Sequence, residues 1–129
     1  MQRHMLKSKI HRATVTDCNL HYAGSITIDT ELMREADLLP HEQVHVLDID
    51  NGSRFETYVI EGTEGAREVC VNGAAARLVQ PGDRVIVVSY GVYSEQEVQF
   101  HEPRVVHVDE DNRILRVDSD PSAIAAAQA

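Results

Sequence analysis

The chain returns again and again to short stretches rich in Val and Ile, about ten residues apart, in which apolar and polar positions alternate. A period of two cannot give a helix one apolar face, whereas a strand sends alternate side chains to opposite sides of a sheet. A mostly β fold, barrel or sandwich, is therefore expected. Predicted strands cover residues 6–15, 25–28, 44–49, 54–60, 68–71, 84–89, 104–108 and 114–117. Turn chemistry separates them: Asp50-Asn51-Gly52-Ser53 is a hairpin signal, Pro81-Gly82-Asp83 launches an apolar strand, and Glu110-Asp111-Asn112 reverses the chain.

Helix is scarce. Asp29 is a good N-cap, followed by Leu32, Met33, Ala36 and Leu39 on one face, with Pro40 as the stop. A single helical turn is expected at residues 74–78. With 129 residues, 43% of them apolar, the chain can fill one core and makes one domain. The stretch 118–129 reads as a flexible C-terminal tail, small and polar before an alanine run.

Twelve Lys and Arg against twenty-one Asp and Glu leave a net charge of −9, the wrong sign for neutralising a phosphate backbone, so no nucleic-acid partner is expected. No apolar run approaches the roughly 18 residues of a bilayer span, and the first residues lack the apolar stretch of a secretory signal. The expectation is a cytoplasmic protein with no membrane partner. Cys18 and Cys70 are too few for a disulfide framework and too far apart in sequence for a metal knuckle, so both read as reduced thiols.

His41-Glu42-Gln43-Val44-His45 matches the H-E-x-x-H pattern that places two zinc ligands one helical turn apart. Here Pro40 precedes it and Val44, Val46 and Leu47 continue as a strand. Extended backbone puts the two histidine Cα atoms about 13 Å apart, which argues against a shared ion. No metal site is expected.

More informative is a set of blocks in fixed order. Lys9-Ile10-His11-Arg12 leads to Leu20-His21-Tyr22-Ala23-Gly24-Ser25; Asn51-Gly52-x-Arg54-Phe55-x-Thr57-Tyr58 follows, then Val71-Asn72-Gly73-Ala74-Ala75-Ala76. From about Met5 to Ile114 the chain resembles the pyruvoyl-dependent aspartate 1-decarboxylases. The resemblance implies a small six-stranded double-psi β-barrel with short helices. It also implies a zymogen that cuts itself between Gly24 and Ser25, giving residues 1–24 as one chain and the barrel core of residues 25–117, with the tail, as the other.

Ser25 would become the pyruvoyl cofactor, with neither metal nor pyridoxal phosphate. The residue types suit that chemistry. A serine hydroxyl attacks its own peptide only where the carbonyl is exposed and polarised, and Gly24 would let the chain take the necessary turn. Thr57 matches the family residue that assists processing. The mature ketone would form a Schiff base with L-aspartate and accept the electrons released on decarboxylation to β-alanine and carbon dioxide, a lyase reaction that feeds pantothenate synthesis.

Substrate binding falls by resemblance to Lys9, Arg54, Thr57, Asn72, Gly73, Ala74 and Ala75. Tyr58 would be the proton donor, with His11 and Tyr22 in support. Arg54 offers a planar fork for a carboxylate and Lys9 a point charge. Strand parity sets Arg54 and Tyr58 on one face and Thr57 on the other. The homotetramer of the family, with active sites between subunits, would let one strand serve two sites. Some members need a maturation factor for cleavage. Leu47 departs from the pattern, since some members carry an aromatic residue there. The reading from another class is a non-catalytic β-barrel interaction module, which would keep its backbone intact at Gly24-Ser25. A swapped-hairpin DNA-binding domain is disfavoured by the acidic charge.

Overall fold

The alternation resolves into nine strands in a computed structural model that describes residues 1–122. In chain order they are β1 (Gln2–Thr14), β2 (Asp17–Asn19), β3 (Ser25–Ile28), β4 (Gln43–Asp48), β5 (Arg54–Glu61), β6 (Val69–Asn72), β7 (Arg84–Ser94), β8 (Arg104–Val108) and β9 (Ile114–Asp118). Two short helices, α1 (Thr30–Glu35) and α2 (Glu95–Val98), and a 3-10 turn at Gly73–Arg77 complete the described elements. The fold is mostly β, as the period of two requires.

The strands pair in the order β2-β6-β3-β5-β4-β7-β1-β8-β9. Between β1 and β2, the Val15 N–H donates to Asp83 O and the Thr16 N–H to Val69 O, each at 2.8 Å. One continuous length of chain thus lies against β7 at one end and β6 at the other. Taken as one bent strand, β1–β2 makes a ring of six with β6, β3, β5, β4 and β7. The hairpin of β8 and β9 extends this ring through a parallel pairing of β8 with β1.

The interior is filled by every second residue: Ile10, Ile26, Val46, Val59, Val71 and Val87 are among the buried core side chains. Each such side chain contributes about 1.5–3 kcal/mol on leaving water. Asn112 fastens one end of the ring. In the left-handed region at φ 61, it accepts the Thr14 N–H at 2.7 Å and donates to Thr14 O and Arg67 O at 2.9 and 3.0 Å.

Strands β3 and β8 have the predicted bounds, but β1 and β7 run further, and β2 and α2 are additional. Helix α1 is shorter than the apolar spacing predicts. Asp37 turns left-handed at φ 54, and its N–H and that of Leu38 close onto Arg34 O and Met33 O in a Schellman end. The reversal shifts the phase by one residue, so Leu38 is buried while Leu39 is exposed. Asp118, the predicted start of the tail, instead ends β9 and pairs with Val105. The rest of that segment beyond Ser122 lies outside the described residues.

Candidate active site

Ser25 opens β3, which runs antiparallel to β6 so that Ser25 faces Asn72 and Thr27 faces Cys70. Ile26 and Ile28 take the inward positions and belong to the core. Ser25, Thr27, Cys70 and Asn72 consequently share the opposite face of this strand pair. Ser25 is nonetheless 0% exposed and Asn72 only 2%. Buried polar groups need partners, and these have them. Ser25 Oγ donates to Ala23 O at 2.8 Å, and Asn72 Nδ2 donates to Ser25 Oγ and to Thr27 Oγ1, each at 3.0 Å. Cys70 Sγ donates to Asn72 Oδ1 at 3.2 Å. Burial, with Asp17, Cys18 and Glu68 adding to it, pushes the Cys70 thiol up to about 11, so it remains protonated at neutral pH.

The glycine that this geometry requires is Gly73. At φ +74, a Cβ on it would fall 2.6 Å from Gly24 Cα, 2.9 Å from Gly24 N and 3.3 Å from Tyr22 O. The turn after β6 is thus packed backbone to backbone against the segment that leads into Ser25. Gly24 differs from the expectation: its φ is outside the left-handed region, and an added Cβ would meet nothing within 4 Å. The close approach at this bond is supplied by its neighbour across the seam. After Gly73, Ala74 is exposed and Ala75 half-buried against the core, while the Tyr22 side chain is exposed.

Strand β5 runs parallel beside β3, with Val59 opposite Ile26. Its exposure alternates as parity predicts. Arg54, Glu56 and Tyr58 face outward, and Phe55, Thr57 and Val59 lie progressively under the sheet. Tyr58, one residue before Val59, is therefore on the face that carries Ser25, one residue before Ile26. Its ring meets that of His41 edge-on at 6.3 Å. Arg54 makes no ion pair among the described residues and has Leu47 as its cross-strand partner on β4. Its guanidinium is available to an anion.

Lys9 and His11 stand elsewhere, on the seam between β1 and β8. A bulge marked by Arg12 at φ 65 interrupts β1 there. His11 pairs in register with His107, their ring centroids 5.8 Å apart. Burial, reinforced by Lys9, His107 and Arg12, pulls the His11 imidazole down to about 4. Lys9 donates from Nζ to Pro121 O at 2.9 Å; its burial lowers its pKa, and Asp118 partly offsets this. The buried His107 places Nε2 3.1 Å from Asp118 Oδ2. The fold thus gathers Ser25, Gly24, Asn72 and Gly73, sets Tyr58 beside them, and leaves Lys9 and His11 on a separate seam of the chain.

The H-E-x-x-H residues form no zinc helix. His41 sits in a turn at φ 73 and His45 in β4, while Glu42 is held by Lys7 at 3.0 Å, Ser89 at 2.8 Å and the Leu39 N–H at 3.0 Å. Sequence reasoning missed Thr27 and the hydrogen-bonding part of Cys70. The signal was present, since Thr27 is two residues from Ser25 and Cys70 two from Asn72, hence on the same faces.

Comparison with known proteins agrees with the resemblance. The family model for aspartate decarboxylase matches residues 1–115. The aspartate 1-decarboxylase of Clostridium kluyveri is 56% identical over 117 residues, covering 91% of this chain and 92% of that protein. That of Acetivibrio thermocellus is 55% identical over 116 residues, covering 90% and 92%. That of Heliobacterium modesticaldum is 57% identical over 115 residues, covering 89% and 87%. The chain belongs to the aspartate decarboxylase family.

Proposed function

We propose that this chain cuts itself between Gly24 and Ser25 and, with the pyruvoyl group so formed, decarboxylates L-aspartate to β-alanine and carbon dioxide. The observation that carries the reading is the fully buried Ser25 hydroxyl, held between Ala23 O and Asn72 Nδ2 beside a glycine-packed peptide bond. In the cut, Oγ bonds to the Gly24 carbonyl carbon, the C–N bond breaks, and the hydroxyl proton moves to the released amine. Water then takes the Ser25 Cα proton, that electron pair becomes the Cα–Cβ double bond, and Cβ–Oγ breaks to leave a carboxylate on Gly24. The proton taken up by water returns to Cβ, the nitrogen becomes an imine, and a second water replaces it, releasing ammonia and leaving the ketone.

Two faces of β5 divide the work. Continuing the register back from the Ile26–Val59 pair brings Tyr58 level with Ser25 and Thr57 level with Gly24. Thr57 is then suited to polarise the Gly24 carbonyl during cleavage, and Tyr58 to hold the proton delivered after decarboxylation. This arrangement needs no second subunit to reconcile their parity. Arg54 binds a substrate carboxylate through its guanidinium. Asn72 and the backbone of Gly73, Ala74 and Ala75 border the reacting carbon, with Tyr22 at the rim. When formed, the pyruvoyl group supplies the electron sink. The fit is favourable, because the bond that must break already lies in a cradle that a Cβ on Gly73 would fill.

Lys9 and His11 join the site across a subunit boundary, which is the reason to propose a homotetramer. Its role is β-alanine supply for pantothenate in the cytoplasm. Among the described residues no helix is long and apolar enough to cross a membrane. Denaturing mass spectrometry tests the reading. Wild type is expected as residues 1–24 plus a pyruvoyl-ended 25–129 that forms β-alanine, and Ser25→Ala as one inactive full-length chain. An active, uncleaved wild-type chain would falsify it.

A further inference from the structure

The two hydroxyls that Asn72 Nδ2 serves, on Ser25 and Thr27, can each donate as well as accept. Ser25 Oγ already gives its single proton to Ala23 O, so it accepts from the amide and disfavours the flipped form, in which Oδ1 would face it. The third partner holds the same orientation. A thiol is a weak donor and a weak acceptor, and Cys70 Sγ lies 3.2 Å from Asn72 Oδ1, to which it donates. Flipping the amide would set its NH2 against that sulfur and forfeit the bond.

We infer that Cys70 is a positioning residue for self-cleavage: its S–H fixes the Asn72 side chain so that the amide N–H points at Ser25 Oγ. The inference rests on the self-cleavage proposed above and adds a residue to it. Its thiol stays protonated because burial raises its pKa, so the donor is present throughout the neutral range.

The step that gains most can be worked out from where charge develops. During attack, a donor on Oγ draws electron density from the nucleophile and gives no help. During elimination the same oxygen leaves as part of the Gly24 carboxylate, and an N–H on it stabilises the growing negative charge. In the flipped form Oδ1 would face that oxygen and oppose its departure. Loss of the Cys70 donor should therefore slow elimination more than ester formation, so the ester accumulates.

The experiment follows freshly made full-length chain by mass spectrometry, with hydroxylamine added to parallel samples. Hydroxylamine opens the ester to give residues 1–24 as a hydroxamate and residues 25–129 with serine intact, which distinguishes it from the finished pyruvoyl end. Cys70→Ala is expected to slow pyruvoyl formation about fivefold, the scale of one hydrogen bond, and to raise the hydroxylamine-sensitive fraction. Cys70→Ser keeps a donor and is expected to stay within about twofold of wild type on the same scale. Cleavage of Cys70→Ala at the wild-type rate with no added ester would overturn the assignment while leaving self-cleavage standing. So would equal slowing in Cys70→Ser, because packing would then account for both. Wild type that never cleaves would instead defeat the underlying reading. Thermal unfolding of each variant accompanies the kinetics, and a rise in ester without a fall in melting temperature supports positioning over a loss of fold.

Discussion

Two strand seams are rich in polar chemistry, one within the ring and one where the β8–β9 hairpin joins it, and they are built on opposite principles. Between β3 and β6, Ser25, Thr27, Asn72 and Cys70 are neutral and hydrogen-bonded to one another within one chain. Between β1 and β8, Lys9, His11 and Arg12 stand near His107, with Asp118 the nearby carboxylate. A neutral network can be buried complete, because each donor finds an acceptor at modest cost. A cluster of cationic and titratable groups has a desolvation cost, which Asp118 offsets here only in part. In the proposed reaction the first seam would host the chemistry on the chain itself, and the second would offer cations to the substrate beside Arg54.

The sharpest way to break this contrast is at the glycines of the first seam. Gly73→Ala must move Gly24 or leave the left-handed region, since its Cβ would sit 2.6 Å from Gly24 Cα. Self-cleavage should fall more than about 100-fold, with about 1–3 kcal/mol of stability lost to backbone strain. Gly24→Ala adds a Cβ that meets nothing within 4 Å, so its melting temperature should stay near wild type. Intact mass and thermal melts separate the two. Equal destabilisation would mean that the packing at the cleavage bond has been misassigned.

The second largest effect is expected at Arg54, which lies on the Ser25 face of β5 and makes no ion pair among the described residues. Arg54→Lys keeps the charge but loses the planar fork, so KM for aspartate should rise roughly tenfold while the cleavage pattern is unchanged. An unchanged KM would leave carboxylate binding to the β1–β8 seam alone. A change in cleavage instead would place Arg54 in processing.

How far the sequence anticipates these seams depends on the range of the forces involved. Alternation at residues 25–28 and the Val-rich run at residues 104–108 mark β3 and β8 because both are local patterns, and parity separates Thr57 from Tyr58. The end of α1 is hidden, because Asp37 occupies a left-handed position where glycine would have been the usual signal. The ring is hidden too: it depends on Val15 and Thr16 bonding to Asp83 and Val69, far along the chain. At the site, the family blocks point to Ser25 and Asn72 and parity puts Cys70 on the face of Asn72, but only the antiparallel register sets that face beside Ser25 and Thr27. Gly24 is the instructive reversal. Its composition suggested a strained turn, whereas the constraint resides at Gly73, a residue that contacts it only in the folded chain.

The smallest expected effect separates the seams by pH. His11 is held neutral, its pKa pulled from an ordinary 6.5 down to about 4 by burial and by the neighbouring Lys9, His107 and Arg12. Because the folded pKa lies below the unfolded one, the unfolded chain binds this proton first as pH falls. Stability from this group is therefore complete above about pH 6.5 and is lost progressively toward pH 4. Allowing for the half-exposed position, the loss is about 1–2 kcal/mol. Cys70, the titrating side chain of the Ser25 network, is shifted upward and stays neutral over the same interval. Amide exchange, corrected for its intrinsic pH dependence, should lose protection around Ile10 and His11 between pH 6.5 and 4 before it does around Ile26 and Thr27. His11→Gln, which carries no titrating imidazole, should flatten the difference. Parallel loss of protection on both seams would mean that the ring opens as one unit and that the charge at β1–β8 is not separately felt.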